Sequence, residues 1–297
     1  MPVKTHVSTD ADALDGALVD LSDRQPFAVA WYLKALVCGR EWARDGDVPL
    51  ATRSTRKVAI MMALLHAVHE GELALTDQIA ILPTYQHTAS GVTQHFLPGP
   101  VLSVHDAMTL MIIVSDNGCT AAIVDRLSLD RINAYCARLR MDRTTHRNAL
   151  PEPVADLERN TTSTPRDQGR LLELILRGCD DAAVAETLGC STSHCRLALK
   201  VLRAQQLRRK IPALLPDDAV VAHKDGTGPG LHHDTGLVFR GDHPLFVLCA
   251  YTSGVPERTP DGRAGVDAAS TFIAQFSRYA WDALAGRAAT SDALNRA

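Results

Sequence analysis

With 297 residues, a net charge of −3, 46% apolar and 22% charged residues, the chain has the length for one large domain or two lobes and a globular composition. The slightly acidic balance leaves no basic footprint, which removes nucleic acid from the expected partners. The longest apolar run, Val58 to Leu65, is too short to span a membrane.

Residues 1–23 carry five aspartates and no apolar core flanked by basic residues. They lack the pattern of a secretory signal, so a cytoplasmic location is expected. The segment from Ala11 to Leu21 reads as a helix. Phe27 to Leu33 reads as a buried strand, with Leu36 to Trp42 as its hairpin partner. An apolar helix over 54–70 follows, with Ser54 placed as its N-cap. Further helices are predicted over 103–114, 117–128, 130–139, 165–178 and 192–207. Strands return at 219–223, 235–240 and 245–251, before a last helix over 266–284. Strands at both ends and helices between them predict an α+β fold. Residues 1–53 and 208–297 would build one antiparallel sheet flanked by helices, and 54–207 a helical lobe. A pocket is expected at their seam.

The seven cysteines are odd in number and lack a Cys-x-x-Cys pair, which favours reduced, mostly buried thiols. His66 and His69, His232-His233-Asp234, and Cys190 with His194 and Cys195 fit ordinary packing or turns better than metal spacing, so no metal is expected. No phosphate-cradling glycine loop is present either, and no cofactor is expected.

Three short motifs carry the chemistry. In Ser54-Thr55-Arg56-Lys57, the serine and lysine are three apart and share a helix face. A lysine with a depressed pKa could take the proton of Ser54, and the helix N-terminus favours an oxyanion there. Ser115-Asp116-Asn117 joins two helical runs, where Ser115 could relay a proton and Asn117 orient Lys57 or a substrate carbonyl. Lys224-Asp225-Gly226-Thr227 closes an apolar strand. It suits an anion-facing edge, with a glycine against which substrate can lie. Singly, each also reads as a cap or a strand-to-turn junction; together and in this order they point to one acylating site.

These motifs make the chain resemble the class A β-lactamase and penicillin-binding-protein superfamily of Ser-x-x-Lys acyl enzymes. The resemblance spans roughly residues 25–285. It extends to Met111 through Asn117, Thr161 through Pro165, and His232 through Gly236. It implies a three-layer α/β/α arrangement around an antiparallel sheet plus a helical lobe. It also implies Ser54 as nucleophile, Lys57 as its activating partner and Ser115 as proton shuttle. Asn117, Lys224, Asp225, Gly226 and Thr227 would contact substrate, with the N–H groups of Ser54 and Thr227 as the oxyanion hole. The implied substrate is a small-molecule amide, lactam or ester, a β-lactam by default.

Two departures bear on this reading. The family usually has threonine or serine where this chain has Asp225, which would repel a substrate carboxylate and favour a neutral or cationic substrate. Alternatively, Asp225 pairs with a neighbouring arginine and leaves the pocket unchanged. The family's Glu-x-x-Leu-Asn element, which activates the deacylating water, is only partly matched between Leu150 and Asn160. Glu152 is the candidate base there, and Glu158 a second. The other readings are a cytoplasmic esterase, peptidase or transacylase, or a penicillin-binding or sensing module that acylates slowly or not at all.

Overall fold

The computed structural model describes residues 8–86, 90–150 and 157–294. The chain opens with helix α1 (Ser8–Asp23), strands β1 (Ala28–Ala35), β2 (Glu41–Arg44) and β3 (Leu50–Ala51), and a 3-10 turn over Arg53–Arg56. Then come α2 (Lys57–His69), β4 (Gln78–Ala80), α3 (Pro83–Gln86), β5 (Val101–Ser103), α4 (Val104–Ile113), α5 (Asn117–Leu127) and α6 (Leu129–Arg138). Next are β6 (Thr162–Ser163), α7 (Pro165–Gly178), α8 (Ala182–Thr187) and α9 (Thr192–Arg203). The chain closes with β7 (Ala219–Gly228), β8 (Leu231–Arg240), β9 (His243–Ser253) and α10 (Gly265–Leu294).

The main sheet is antiparallel in the order β2-β1-β9-β8-β7. Strands from the two ends of the chain meet where β1 pairs with β9, and β7 is left as an edge. Side chains alternate across the sheet with the two-residue period of a strand. Phe246, Leu248 and Ala250 of β9 pack with Trp31, Phe272 and Phe276 on the face covered by α1 and α10. Val247 and Cys249 face the opposite layer, with residues of α2, α7 and α9.

The middle of the chain packs around α2. Every residue from Val58 to Leu65 is buried, so this helix is apolar all round, as a central helix must be. The helices around it start where their caps dictate. Ser103 accepts from the Asp106 N–H, Asp116 from Cys119, Ser128 from Arg131, and Thr164 from Asp167 with Pro165 at the first helical position. Among the described residues, no helix is long and apolar enough to cross a membrane. All seven cysteines are free thiols and, except for Cys38, buried.

Four local expectations need correction. The hairpin partner of β1 is not Leu36 to Trp42 but Glu41–Arg44, after a turn. Ser54 is not a helix N-cap: it sits inside the 3-10 turn, whose own cap position, Thr52, makes no side-chain cap bond. Strand β7 continues through Lys224 to Gly228, so the Lys-Asp-Gly motif lies within the strand. His232-His233-Asp234 is part of β8, and not a turn before it. These polar residues read as a turn because their partners come from other strands. Asp234, for example, accepts from His223 Nδ1 at 2.9 Å with both side chains fully buried.

Candidate active site

The turn bearing Ser54 is made by backbone geometry. Thr52 is fully buried and its N–H donates to Thr161 O at 3.0 Å. Arg53 takes a φ of +49°, a left-handed conformation uncommon for a side chain of this size. The chain turns sharply there and presents Ser54, half-buried, at the start of α2. Gly226 of β7 lies directly beside it: a Cβ at that position would stand 3.1 Å from Thr52 O and 3.2 Å from Ser54 N. A side chain there would crowd Ser54 N, so the glycine lets the edge strand lie this close.

Beneath this turn runs a buried polar chain. Thr55 Oγ1 donates to Thr52 O at 2.8 Å and accepts from the Tyr251 hydroxyl at 2.7 Å. The Tyr251 ring stacks on His233 with centroids 4.3 Å apart. His233 Nε2 donates to Ala51 O at 2.9 Å, while Nδ1 accepts from the Thr252 N–H at 3.2 Å. That pattern requires a neutral ring, and burial pushes the His233 pKa down to about 3.

One helical turn on, Lys57 is 1% exposed. Its Nζ lies 2.8 Å from Ser115 O, 3.1 Å from Ser115 Oγ and 2.9 Å from Asn117 Oδ1. Burial first, then the charges of Lys224 and Arg56, hold this amine well below the usual lysine range. An ammonium can donate to all three acceptors. A neutral amine donates to two and keeps a lone pair for an incoming proton.

Asp116, between these two contacts, fixes them. Its Oδ2 accepts from the Val92 and Thr93 N–H groups at 2.7 and 2.8 Å. Its Oδ1 accepts from Thr93 Oγ1 at 2.7 Å and the Cys119 N–H at 2.9 Å. Burial alone would raise this carboxyl, but these donors outweigh it and hold the group below the ordinary carboxylate range. The carboxylate thus caps α5 and ties it to residues 92–93. Ser115, just before it, is held at φ +58°, with its carbonyl also accepting from Ser90 Oγ at 2.9 Å.

The third wall is β7. Lys224 is fully buried, and burial pushes it down to about 8. Its Nζ donates to Asp225 O at 2.7 Å and lies 3.6 Å from Asp225 Oδ1. The partner of Asp225 is not the arginine considered from sequence but Lys210, whose Nζ lies 2.8 Å from Oδ2. Burial would raise the Asp225 carboxyl; the charges of Lys210 and Lys224 hold it far below the usual range.

Sequence reasoning passed over Lys210 and Arg56. Arg56 is 2% exposed. Its Nη1 donates to the carbonyl and side-chain oxygens of Asn148 and to Thr161 Oγ1, and its Nη2 donates to Ala149 O. Asn148 Nδ2 donates to Arg159 O at 2.7 Å, so both ends of the segment carrying the candidate bases are pinned together. The signal was present in Ser54-x-Arg56-Lys57, where a basic residue stands on the buried side of an apolar helix. Glu152 lies outside the described residues. Glu158 lies exposed in the turn that precedes Asn160. Three separate stretches of chain therefore meet here: Lys57 touches Ser115 and Asn117, and Gly226, between Asp225 and Thr227 on β7, lies against Ser54 and Thr55.

A family model described as the Beta-lactamase enzyme family matches residues 13–284. The chain belongs to this family. Among solved structures, a beta-lactamase from Sphaerobacter thermophilus DSM 20745 is 26% identical, with a TM-score of 0.80 over 91% of this chain and 97% of that one. A leucine-to-glutamate mutant of PBP-A, described as an acyl-enzyme complex with penicillin G, is 25% identical with a TM-score of 0.77, covering 92% and 96% of the two chains. An ancestral class A beta-lactamase, 22% identical with a TM-score of 0.76 over 91% and 99%, shares the fold. No curated protein matches the chain. Family and fold make the protein a beta-lactamase-like enzyme of the serine hydrolase type.

Proposed function

We propose that this chain opens a small-molecule amide or lactam by acyl transfer to Ser54. One observation carries the reading: Lys57, buried and held low, stands one turn from Ser54 with Ser115 Oγ and Asn117 Oδ1 on its amine. Ser54 Oγ attacks the carbonyl carbon while Lys57 takes its proton. The N–H groups of Ser54 and Thr227 receive the oxyanion beside Gly226. The C–N bond then breaks, and the proton passes from Lys57 through Ser115 to the leaving nitrogen. Asn117, Lys224, Asp225 and Thr227 line the substrate's path. A water activated by Glu152 completes hydrolysis of the Ser54 ester and returns the proton to the serine. In this reading the site lies at the seam of a sheet lobe (1–53 and 208–297) and a helical lobe (54–207). The PBP-A relative, described as an acyl-enzyme with penicillin G, supports a β-lactam as the first substrate to try.

The test is steady-state hydrolysis of a reporter cephalosporin and of an activated acyl ester. Ser54→Ala should abolish turnover of whichever is cleaved, and Lys57→Met should lower it by roughly 10²- to 10⁴-fold, the usual worth of a positioned base. Turnover unchanged in Ser54→Ala would remove the acyl-enzyme from the account.

A further inference from the structure

The β7 wall contains an ion cluster that satisfies itself. Lys210, on the connection between α9 and β7, is 3% exposed. Its Nζ lies 2.8 Å from Asp225 Oδ2, 3.1 Å from Gly226 O, 2.8 Å from Thr227 Oγ1 and 2.9 Å from His233 O. An ammonium has three hydrogens, and four acceptors from this chain already surround it. Thr227 Oγ1 accepts from Lys210 and places its own hydrogen on Asp225 Oδ2 at 3.1 Å. Lys224 Nζ donates to Asp225 O and lies 3.6 Å from the other carboxylate oxygen, close enough for charge attraction only. The cluster reaches the surface beside Ser54, because Thr227 is exposed and a Cβ on Gly226, between Asp225 and Thr227, would stand 3.2 Å from Ser54 N.

We propose that Asp225 is the enzyme's built-in counter-anion on this wall, and that the site selects substrates whose group lying against Thr227 and Lys210 is uncharged. The inference rests on the Ser54 cleft being the substrate site. A carboxylate arriving here meets donors whose hydrogens are committed. To gain a hydrogen bond it must displace Asp225 from a charge-assisted pair, and a displaced, buried carboxylate is costly. A neutral carbonyl or ester brings no charge to strip of water, and a hydroxyl can itself donate to the oxygens of the cluster. Lys210 and Lys224 face Asp225 and also its buried cross-strand partner Asp234; without the Asp225 charge the two lysines would face one aspartate, with Lys210 hydrogens free for an anionic ligand. Asp225 is thus a specificity-determining residue whose removal should invert the preference.

The probes are penicillin G and its methyl ester, which differ by one charge. Binding is measured by calorimetry or ligand-observed NMR in a Ser54→Ala background, so that it does not depend on acylation. Ser54→Ala protein should bind the ester at least as tightly as the acid. Adding Asp225→Thr should improve acid binding by about tenfold or more and change ester binding by less than about twofold. Asp225→Asn, closer in shape, is the second variant should the threonine fail to fold, and the acid-to-ester ratio without either needs no further substitution. The proposal is overturned if that protein already binds the acid about tenfold better, if the substitutions leave the ratio unmoved, or if neither probe binds. Mass analysis of Ser54 acylation in the unsubstituted protein separately decides the acyl-enzyme reading.

Discussion

Replacing Asp116 tests how the site is held together. Its carboxylate is fully buried and receives four donors: two N–H groups from residues 92 and 93, the Thr93 hydroxyl, and the N–H of Cys119. Asp116→Ala leaves those donors without acceptors and removes the cap of α5. A buried donor left unsatisfied costs about 1–3 kcal/mol, and a lost cap typically about 1 kcal/mol. Water can reach the half-buried Val92 end, and neighbouring losses do not add fully. The expected destabilisation is therefore about 4 kcal/mol, a large share of the roughly 5–15 kcal/mol that holds a typical domain. Urea unfolding should show the midpoint falling with little change in slope. The pH dependence has a definite sign. The folded carboxyl lies below its ordinary value, so its stabilisation is fully present above the unfolded pKa near 4 and is lost as pH falls through the folded value. Asp116→Ala should flatten that acid limb. A loss below about 1 kcal/mol, or an unchanged acid limb, would refute the reasoning that this carboxylate anchors the Ser115–Asn117 loop.

Other substitutions probe separate walls. Gly226→Ala should lower acyl-transfer activity far more than stability, because the added methyl lies 3.2 Å from Ser54 N at the edge-strand contact; kinetics beside urea melts check this. If neutral Lys57 is the base, kcat/KM should rise with pH along a limb placed well below the ordinary lysine pKa, because the proton acceptor is lost as pH falls; a pH–rate profile reads it, and a limb near 10.4 would argue against the buried amine. Gly169→Ala should destabilise the protein by roughly 1–3 kcal/mol through overpacking, since its Cβ would overlap the Tyr32 ring; a thermal melt measures it. Arg56→Met should cost stability and also slow deacylation, because it releases Asn148 and Ala149 at the start of the segment leading to Glu152; single-turnover kinetics separate the two effects.

The three motifs were legible because each keeps its partners close in sequence. Ser54 and Lys57 share one turn, Ser115 and Asn117 flank one cap, and Lys224 to Thr227 run along one strand. The order of strands and helices also predicted the sheet, because Phe246 to Ala250 of β9 alternate between two cores. What stayed hidden depends on contacts across the fold. Lys210 reaches Asp225 from 15 positions away, and nothing in Arg208-Arg209-Lys210 marks which of the three cations turns inward. Ser54 was placed as a cap because serine favours that position, whereas the left-handed Arg53 shifts the helix start and puts the serine inside the turn. His233 and Asp234 resembled a turn because their polar side chains are answered by Ala51, Thr252 and His223 from other segments.

The most direct test of the central claim is time-resolved intact-mass analysis with peptide mapping after mixing the protein with penicillin G, its methyl ester and an activated acyl ester. The account predicts a covalent mass increase from at least one probe, mapped to Ser54 and absent from Ser54→Ala, decaying as water takes the acyl group. No adduct from any probe, or labelling that persists in Ser54→Ala, would contradict it.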